Sequence, residues 1–396
     1  MLTKLRNTQY ELALIFENAI KTNTFSHSTL FCGPKYTSKM SAAIEIAKVL
    51  SCRNPQFKED CKCDSCKLYD KYLMQNLVVV SNRDSENRIE VALQQYIKNR
   101  NEFTKNFLIQ NVRIFLLSYH NSIYTDKNKK LFDSAYQASE LISEFASNRE
   151  VLKIREAQRF SKELKLRLKP LFQVSKKNLT NLSVDGVRSL QTWLSNTLVN
   201  EKARIVIIES IEKANESVKN SLLKILEEPN ENVYFILLSN NPSRIMKTIL
   251  SRVRKYNFAE IESEKQLQLL KPFNLEDKTI DNLIKFFLSS SGMKMNEIDS
   301  SLQEIIKSFN SKRYLSSDRL AFCINKLDSS NNVDFILNQL IVKIEDSYKR
   351  DIIDSFIANK IISEISQLYN NQRVFNLPKK NMFENIYRKM MECVNA

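Results

Sequence analysis

The sequence predicts an α/β domain built on a parallel sheet, carrying a long helical insertion and followed by helices to its end. Three observations carry this. Apolar runs without alternation, at Asn76–Ser81, Arg204–Glu209 and Val233–Asn240, read as strands buried on both faces, as in a parallel sheet. A helix at Glu216–Glu227, closed by Pro229, lies between the last two runs and makes a βαβ unit. Only 3 Gly and 7 Pro occur in 396 residues, too few for a turn-rich sandwich or barrel.

Taken in order, Thr8–Lys21 reads as an amphipathic helix with Leu12, Leu14, Ile15, Ala19 and Ile20 along one side. Ser28–Cys32 is a short strand stopped by Gly33-Pro34, and a second helix runs from Ser38 through Met40, Ala43, Ile44, Ile46, Ala47 and Leu50. Strand, glycine turn and helix together are the architecture of a phosphate-binding loop. From about Asp84 to Leu179 there is no Gly and only Pro170. Leu93, Tyr96, Ile97, Phe103, Phe107, Leu108, Val112 and Phe115 recur there at helical spacing. This is the helical insertion, with a break expected near Asn121–Asn128. Its last part, Arg149–Lys177, is rich in Lys and Arg; it could contact DNA, although a solvated amphipathic face is the favoured reading. After Phe258 the pattern is helical throughout, one group running to about residue 310 and a second to the end.

Composition narrows the function. Hydrophobic residues at 43% and charged residues at 27% exclude general disorder. No apolar run reaches the ~18–20 residues of a membrane span, and Met1-Leu2-Thr3-Lys4-Leu5-Arg6 opens no secretory h-region, so a cytoplasmic protein is expected. A net charge of +15 points to an acidic polymer, nucleic acid first and anionic membrane second, unless it reflects a Lys- and Asn-rich composition alone.

Of the 7 Cys, four fall together: Cys52, Cys61, Cys63 and Cys66. Four thiolates on one polar loop can surround Zn²⁺ tetrahedrally and fold it, and a closed Cys₄ set leaves no open position for catalysis. The one-residue gap in Cys61-Lys62-Cys63 is tighter than a CxxC knuckle, so idle thiols are the alternative. Cys32, Cys323 and Cys393 read as small core residues. His27 and His120 stand isolated, and Glu227 and Glu228 face apart on a helix, so no hydrolytic triad or carboxylate pair is visible.

The loop itself is Gly33-Pro34-Lys35-Tyr36-Thr37-Ser38-Lys39-Met40. Against G-x-x-x-x-G-K-[ST], Ser38 replaces the second glycine and Met40 the hydroxyl that would hold Mg²⁺. Lys39 remains. The strand that should end in Asp-Glu ends in Glu209-Ser210; Glu209 could still approach Mg²⁺, but Ser210 cannot act as a general base. ATP hydrolysis by this chain is therefore not expected, and whether nucleotide binds without being hydrolysed is open.

These residues resemble the bacterial clamp-loader subunits of DNA polymerase III, of the AAA+ class. Asn220-Ser221-Leu222-Leu223-Lys224-Ile225-Leu226-Glu227-Glu228-Pro229 is similar to that family's N-x-L-L-K-x-L-E-E-P signature, and Thr248-Ile249-Leu250-Ser251-Arg252-Val253 to its T-I-L-S-R-C segment. Phe25–Pro34 resembles the lead-in to its phosphate loop, and the four-Cys cluster matches in place, with a middle spacing one residue short. The resemblance covers 1–83 and 179–256 well, the C-terminal helices by pattern, and the insertion not at all.

It implies a RecA-like AAA+ domain (1–256) with a structural zinc loop (about 52–66) and a helical insertion (about 84–178), then a small helical lid (257–310) and an all-α collar for oligomerisation (311–396). Within the family, the broken loop beside an intact Arg252 resembles the delta-prime type. That type implies a non-hydrolysing member of a ring with gamma/tau and delta subunits, which loads the sliding clamp on primed DNA. Arg252 would act in trans on ATP bound by a neighbour. Asn240 would stand where such proteins place a phosphate-sensing polar residue, with a turn cap as its alternative. Gly292-Met293-Lys294-Met295 would replace a G-x-x-R sensor without its arginine. The rivals are an active gamma/tau-like ATPase and a stand-alone DNA-binding adaptor using the basic insertion; a helicase or Holliday-junction motor is disfavoured by the same lost residues.

Overall fold

The computed structural model describes residues 1–54, 61–81, 85–120, 129–177, 182–196, 202–276, 280–289, 295–329, 332–375 and 377–395. The break expected at Asn121–Asn128 and most of the Gly292–Met295 sensor position lie outside them. The chain forms two compact units, Met1–Ser291 and Gly292–Ala396. Among the described residues no helix is long and apolar enough to cross a membrane.

Among the described residues the first unit is organised by five parallel strands, β1 (Ser28–Cys32), β2 (Leu77–Val80), β3 (Arg204–Glu209), β4 (Val233–Ser239) and β5 (Arg254–Asn257), in the order β2-β3-β4-β1-β5. The first four fall on the apolar runs of the sequence. β5 does not: it is an edge strand with only Tyr256 buried, so no apolar run marks it.

Before β2 come α1 (Thr3–Thr8), α2 (Tyr10–Lys21), α3 (Lys39–Ser51) and α4 (Asp64–Asp70). The insertion is α5 (Ser85–Lys98), α6 (Glu102–Leu116), α7 (Lys129–Ser147) and α8 (Ile154–Lys177); α9 (Val184–Ser195) and α10 (Glu216–Glu227) flank β3, and the short α11 (Lys247–Leu250) precedes β5. One face of the sheet buries Phe31, Leu77, Ile205 and Ile207 against Phe16 of α2 and Ile46 of α3. The other buries Leu30, Val206, Ile208 and Phe235 against Leu190 of α9 and Leu222 of α10. Coverage of both faces is why these strands lack alternation.

The expected stripe on α2 needs correction. Its buried positions are Ala13, Phe16, Glu17, Ala19 and Ile20, while Leu14 and Ile15 are exposed. The inner face contains a buried carboxylate, Glu17, which accepts from Leu2 N–H (3.0 Å) and from Arg6, tying α1 to α2. That polar residue hides the true i, i+3, i+4, i+7 spacing from a count of apolar residues.

Among the described residues the insertion is a four-helix arrangement with its own core, including Tyr96, Leu108, Val112, Phe145, Leu164 and Leu168. α8 continues through Pro170. A separate aromatic cluster joins α5 to α12 (Ser263–Leu270) and α13 (Leu283–Ser289), with Val91, Leu270, Phe273, Phe286 and Phe287 buried together. Lys98 pairs with Glu276 at 2.8 Å, and Asn99 Nδ2 donates to Phe273 O at 2.5 Å. The segment expected as a lid, 257–310, is thus divided: α12 and α13 pack on the insertion in the first unit, and the next helix belongs to the second.

The second unit holds α14 (Met295–Asn310), α15 (Ser317–Asp328), α16 (Val333–Lys349), α17 (Ser355–Phe375) and α18 (Lys379–Asn395). Ile298, Leu302, Phe309, Ile336, Ile361, Met390 and Met391 are buried there. Tyr387 OH bonds Ser308 Oγ and accepts from Leu315 N–H, both at 2.8 Å.

Candidate functional site

The loop that joins β1 to α3 sits at the carboxyl edge of the sheet. Parallel register sets Cys32 beside Ser239 and Glu209 beside Leu238, so Gly33 and Asn240 follow at one level, with Ser210 one residue short of it beside Ser239. Gly33 is held between strands: its N–H donates to Ser239 O at 3.2 Å, its φ is +151°, and a Cβ would lie 2.2 Å from Phe258 O. Only glycine fits there.

Tyr36 and Ser38 both adopt left-handed backbone, with φ of 63° and 65°. An L side chain in that region costs about 1–2 kcal/mol. The turn therefore keeps the backbone that a glycine would adopt at Ser38, without the glycine. Tyr36 is held from outside the loop. Its ring stacks on Phe287 of α13 at 5.0 Å and 12°, and the Arg88 guanidinium of α5 lies over both rings, at 5.2 and 4.7 Å.

Lys39 is buried, with its ammonium turned back on the loop. Nζ donates to Gly33 O (2.6 Å), to Pro34 O and to Thr37 Oγ1 (3.1 Å). An ammonium has three donors, and all three are engaged here. Burial pushes its pKa down to about 8, against the opposing field of Glu209 and Glu212. Met40 turns away from the loop into the core under the sheet, 6% exposed among the residues around Phe16 and Ile46. Glu209 accepts from Ser81 Oγ at 2.5 Å, Ser210 is buried with φ 58°, and Asn240 is exposed with its N–H directed at Glu212 Oε1 at 3.4 Å. The structure thus gathers Gly33, Ser38, Lys39, Glu209 and Asn240, and leaves Met40 out. Arg88 and Phe287, which meet Tyr36 of the loop, and Glu212 join the site from segments that no sequence pattern connects to it.

Arg252 lies elsewhere. It precedes β5, whose Arg254 is level with Thr29 at the amino end of β1. Four residues of strand, about 13 Å at 3.3 Å each, separate that level from Gly33. Its Nη2 donates to Glu227 Oε2 of α10 (3.1 Å) and its Nη1 to Thr248 O (2.9 Å), while its buried Nε–H has no partner among the described residues. The side chain is 28% exposed and Glu227 is 56% exposed.

The four cysteines converge. Cys52 caps the end of α3, Cys63 precedes α4 and Cys66 lies in its first turn. All four Sγ atoms are within 4.8 Å of one another, with Cys52 and Cys61 at 3.6 Å. Zn–S bonds of about 2.3 Å at tetrahedral angles require sulfurs about 3.8 Å apart, so the set fits a metal of that kind. The short Cys61–Cys63 spacing does not keep the thiols apart.

The family described as DNA polymerase III, delta subunit, matches residues 8–132 and 123–262, more than half of the chain. The chain belongs to that family. It is 27% identical over 234 residues to the DNA polymerase III subunit delta' of Buchnera aphidicola (subsp. Baizongia pistaciae), covering 56% of this chain and 66% of that one. Similarity to the delta' subunit of Haemophilus influenzae is 29% over 99 residues, 25% of this chain and 30% of that one. To the delta' subunit of Bacillus subtilis it is 32% over 95 residues, 24% and 26%. The chain thus spans just under two thirds of the first of these relatives and less than a third of the other two.

Proposed function

We propose that this chain is a clamp-loader subunit of DNA polymerase III that does not itself turn over ATP. In this function it assembles with gamma/tau- and delta-type subunits, helps place the sliding clamp on primed DNA in the cytoplasm, and presents Arg252 to ATP bound by a neighbour. The observation that carries this is the opposite placement of the two features. The loop at the carboxyl edge has its lysine bonded to its own carbonyls and Met40 in place of the hydroxyl that would follow it for Mg²⁺, whereas Arg252 stands at the amino edge, beyond reach of that loop. An arginine so placed serves a phosphate only on another subunit. There a guanidinium stabilises charge on the phosphoryl-transfer transition state, worth ~10³–10⁵ in rate in other enzymes.

Cys52, Cys61, Cys63 and Cys66 would hold a structural Zn²⁺, which supplies a crosslink between the end of α3 and the start of α4 and no chemistry of its own. The deciding experiment is ATP turnover by the cognate motor subunits with clamp and primed DNA, with and without this chain. Stimulation by a chain that is inactive alone supports the proposal. Turnover by the isolated chain, lost in Lys39→Ala, identifies an active gamma/tau-like ATPase instead.

A further inference from the structure

We infer that the insertion carries a second contact surface for nucleic acid, the outward face of α8, which grips the phosphate backbone of duplex DNA. Arg155, Arg159, Lys162 and Lys169 fall at i, i+4, i+7 and i+14 and are all exposed, with Leu166 between them at 69%. At 1.5 Å per residue this is one stripe about 21 Å long. None of the four cations has an ion-pair partner among the described residues. Two further cations of the helix are already neutralised: Lys165 meets Glu90 at 2.6 Å, and Arg167 meets Glu163 at 3.4 Å. Both acids of α8 border one flank of the stripe, Glu156 three residues before Arg159 and Glu163 four after it, but each is already engaged: Glu156 accepts from Lys153 N–H and Glu163 pairs with Arg167.

Residues 153–177 hold 9 Lys and Arg against 2 Glu. A solvated helix needs no such segregation, because mixed charges along a face solvate it equally well and add i,i+4 pairs. An anionic membrane is the poorer fit, since an interfacial helix buries its apolar face in lipid. Here Ala157, Phe160, Leu164, Leu168 and Leu171 are all buried in the core of the insertion. What remains outside along the stripe is a line of four cations with Leu166 among them, flanked by the exposed Glu156 and Glu163, and suited to a polyanion. The aromatic cluster that joins α5 and α6 to α12 and α13 fixes the insertion, and so this stripe, within the first unit. This surface is independent of the loop and of Arg252, so it can fail or stand without them.

The test is fluorescence anisotropy of the full chain with a fluorescein-labelled 30-bp duplex from 50 to 200 mM NaCl. Each phosphate contact contributes about 0.9 to the slope of log Kobs against log[salt]. The variant Arg155→Gln/Arg159→Gln/Lys162→Gln/Lys169→Gln should therefore lose about 3.6 from that slope, making its affinity roughly a hundredfold less sensitive to this salt change. Arg159→Gln and Lys162→Gln alone should each lose about 0.9. The exposed control set Lys312→Gln/Arg313→Gln/Lys349→Gln/Lys380→Gln should leave the slope within about 1 of wild type. The inference is overturned by absence of duplex binding at 50 mM NaCl, by an unchanged slope in the stripe variants, or by an equal loss in the control. Binding to phosphatidylglycerol vesicles without binding to duplex also overturns it.

Discussion

Replacing Arg252 by alanine tests the trans-acting arginine directly, and the structure sets the size of each effect. Within the chain the guanidinium holds a half-exposed pair with Glu227 at 3.1 Å and one bond to Thr248 O. A pair of this exposure is worth about 0.2–1 kcal/mol and the bond to Thr248 O about 0.5–1.5 kcal/mol, so the substitution should lower the stability of the chain by no more than about 2.5 kcal/mol. The same residue, inserted at a neighbour's ATP, would account for a factor of ~10³ or more in turnover. The two roles are therefore read in different measurements, a modest loss of stability for the first and a loss of turnover of ~10³ or more for the second. In a steady-state ATPase assay of the assembled motor subunits, Arg252→Ala should assemble normally and lose at least a hundredfold of the stimulation. Arg252→Lys, which keeps the charge without the planar fork, should recover little. Glu227→Gln supplies the converse. It frees the guanidinium from its internal partner, so stimulation should be unchanged or rise by up to about fivefold, the factor equivalent to 1 kcal/mol. Wild-type stimulation by an Arg252→Ala chain in the assembled complex would refute the trans role and leave Arg252 as a link between α10 and β5.

Three further outcomes are expected. The purified chain should carry about one equivalent of zinc by elemental analysis, and Cys63→Ser or chelation should remove it and lower the melting temperature; a metal-free chain of full stability would refute the site. Ser38→Gly should stabilise the chain by about 0.5–1 kcal/mol by relieving the left-handed backbone, seen as a melting temperature higher by a few degrees, yet should create no ATPase because Met40 stays in the core. Lys39 has its folded pKa pushed down to about 8 by burial, below its unfolded value. Between about pH 8 and 10.5 the unfolded chain binds the extra proton, so stability rises with pH there. The stability difference, wild type minus Lys39→Met, should accordingly increase from pH 7.5 to 9.5; a flat difference would show the ammonium to be freely solvated.

Much of the site is legible in the sequence because strand, turn and helix leave continuous patterns. β1, β3, β4 and α10 are local runs, and the loop between β1 and α3 follows from Gly33 at the end of one of them. Residues whose role depends on distant segments leave no such trace. Arg88 and Phe287 reach Tyr36 from 52 and 251 positions away in the sequence. Lys39 reads as a phosphate ligand in any alignment of motifs, and only the fold shows its three donors satisfied by Gly33, Pro34 and Thr37. Met40 is legible twice over, as a lost hydroxyl and as an apolar helix position, and the second role is the one it fills. β5 gives no signal because an edge strand with one inward residue has no period to detect, and the apolar count on α2 points to the wrong face because its inner stripe contains Glu17.

The loop also shows which parts of a nucleotide site the fold itself requires. Gly33 is fixed by the close approach of Phe258 O, a packing constraint that persists whether or not phosphate binds. Ser38 keeps the left-handed backbone at a cost of about 1–2 kcal/mol, because the chain must turn there from β1 into α3. The features with no such structural duty, the second glycine's missing side chain and the hydroxyl after Lys39, are the ones replaced. Lys39 is retained in a different role, in which its ammonium closes the turn by bonding the carbonyls that face it. Tyr36, in contact with both Phe287 and Arg88, then ties that turn to α13 and to the insertion. In an ATPase of this architecture the loop must exchange ligands during each cycle. Here the same segment is built as a joint among the sheet, α13 and the insertion, which is consistent with the proposed non-hydrolysing role.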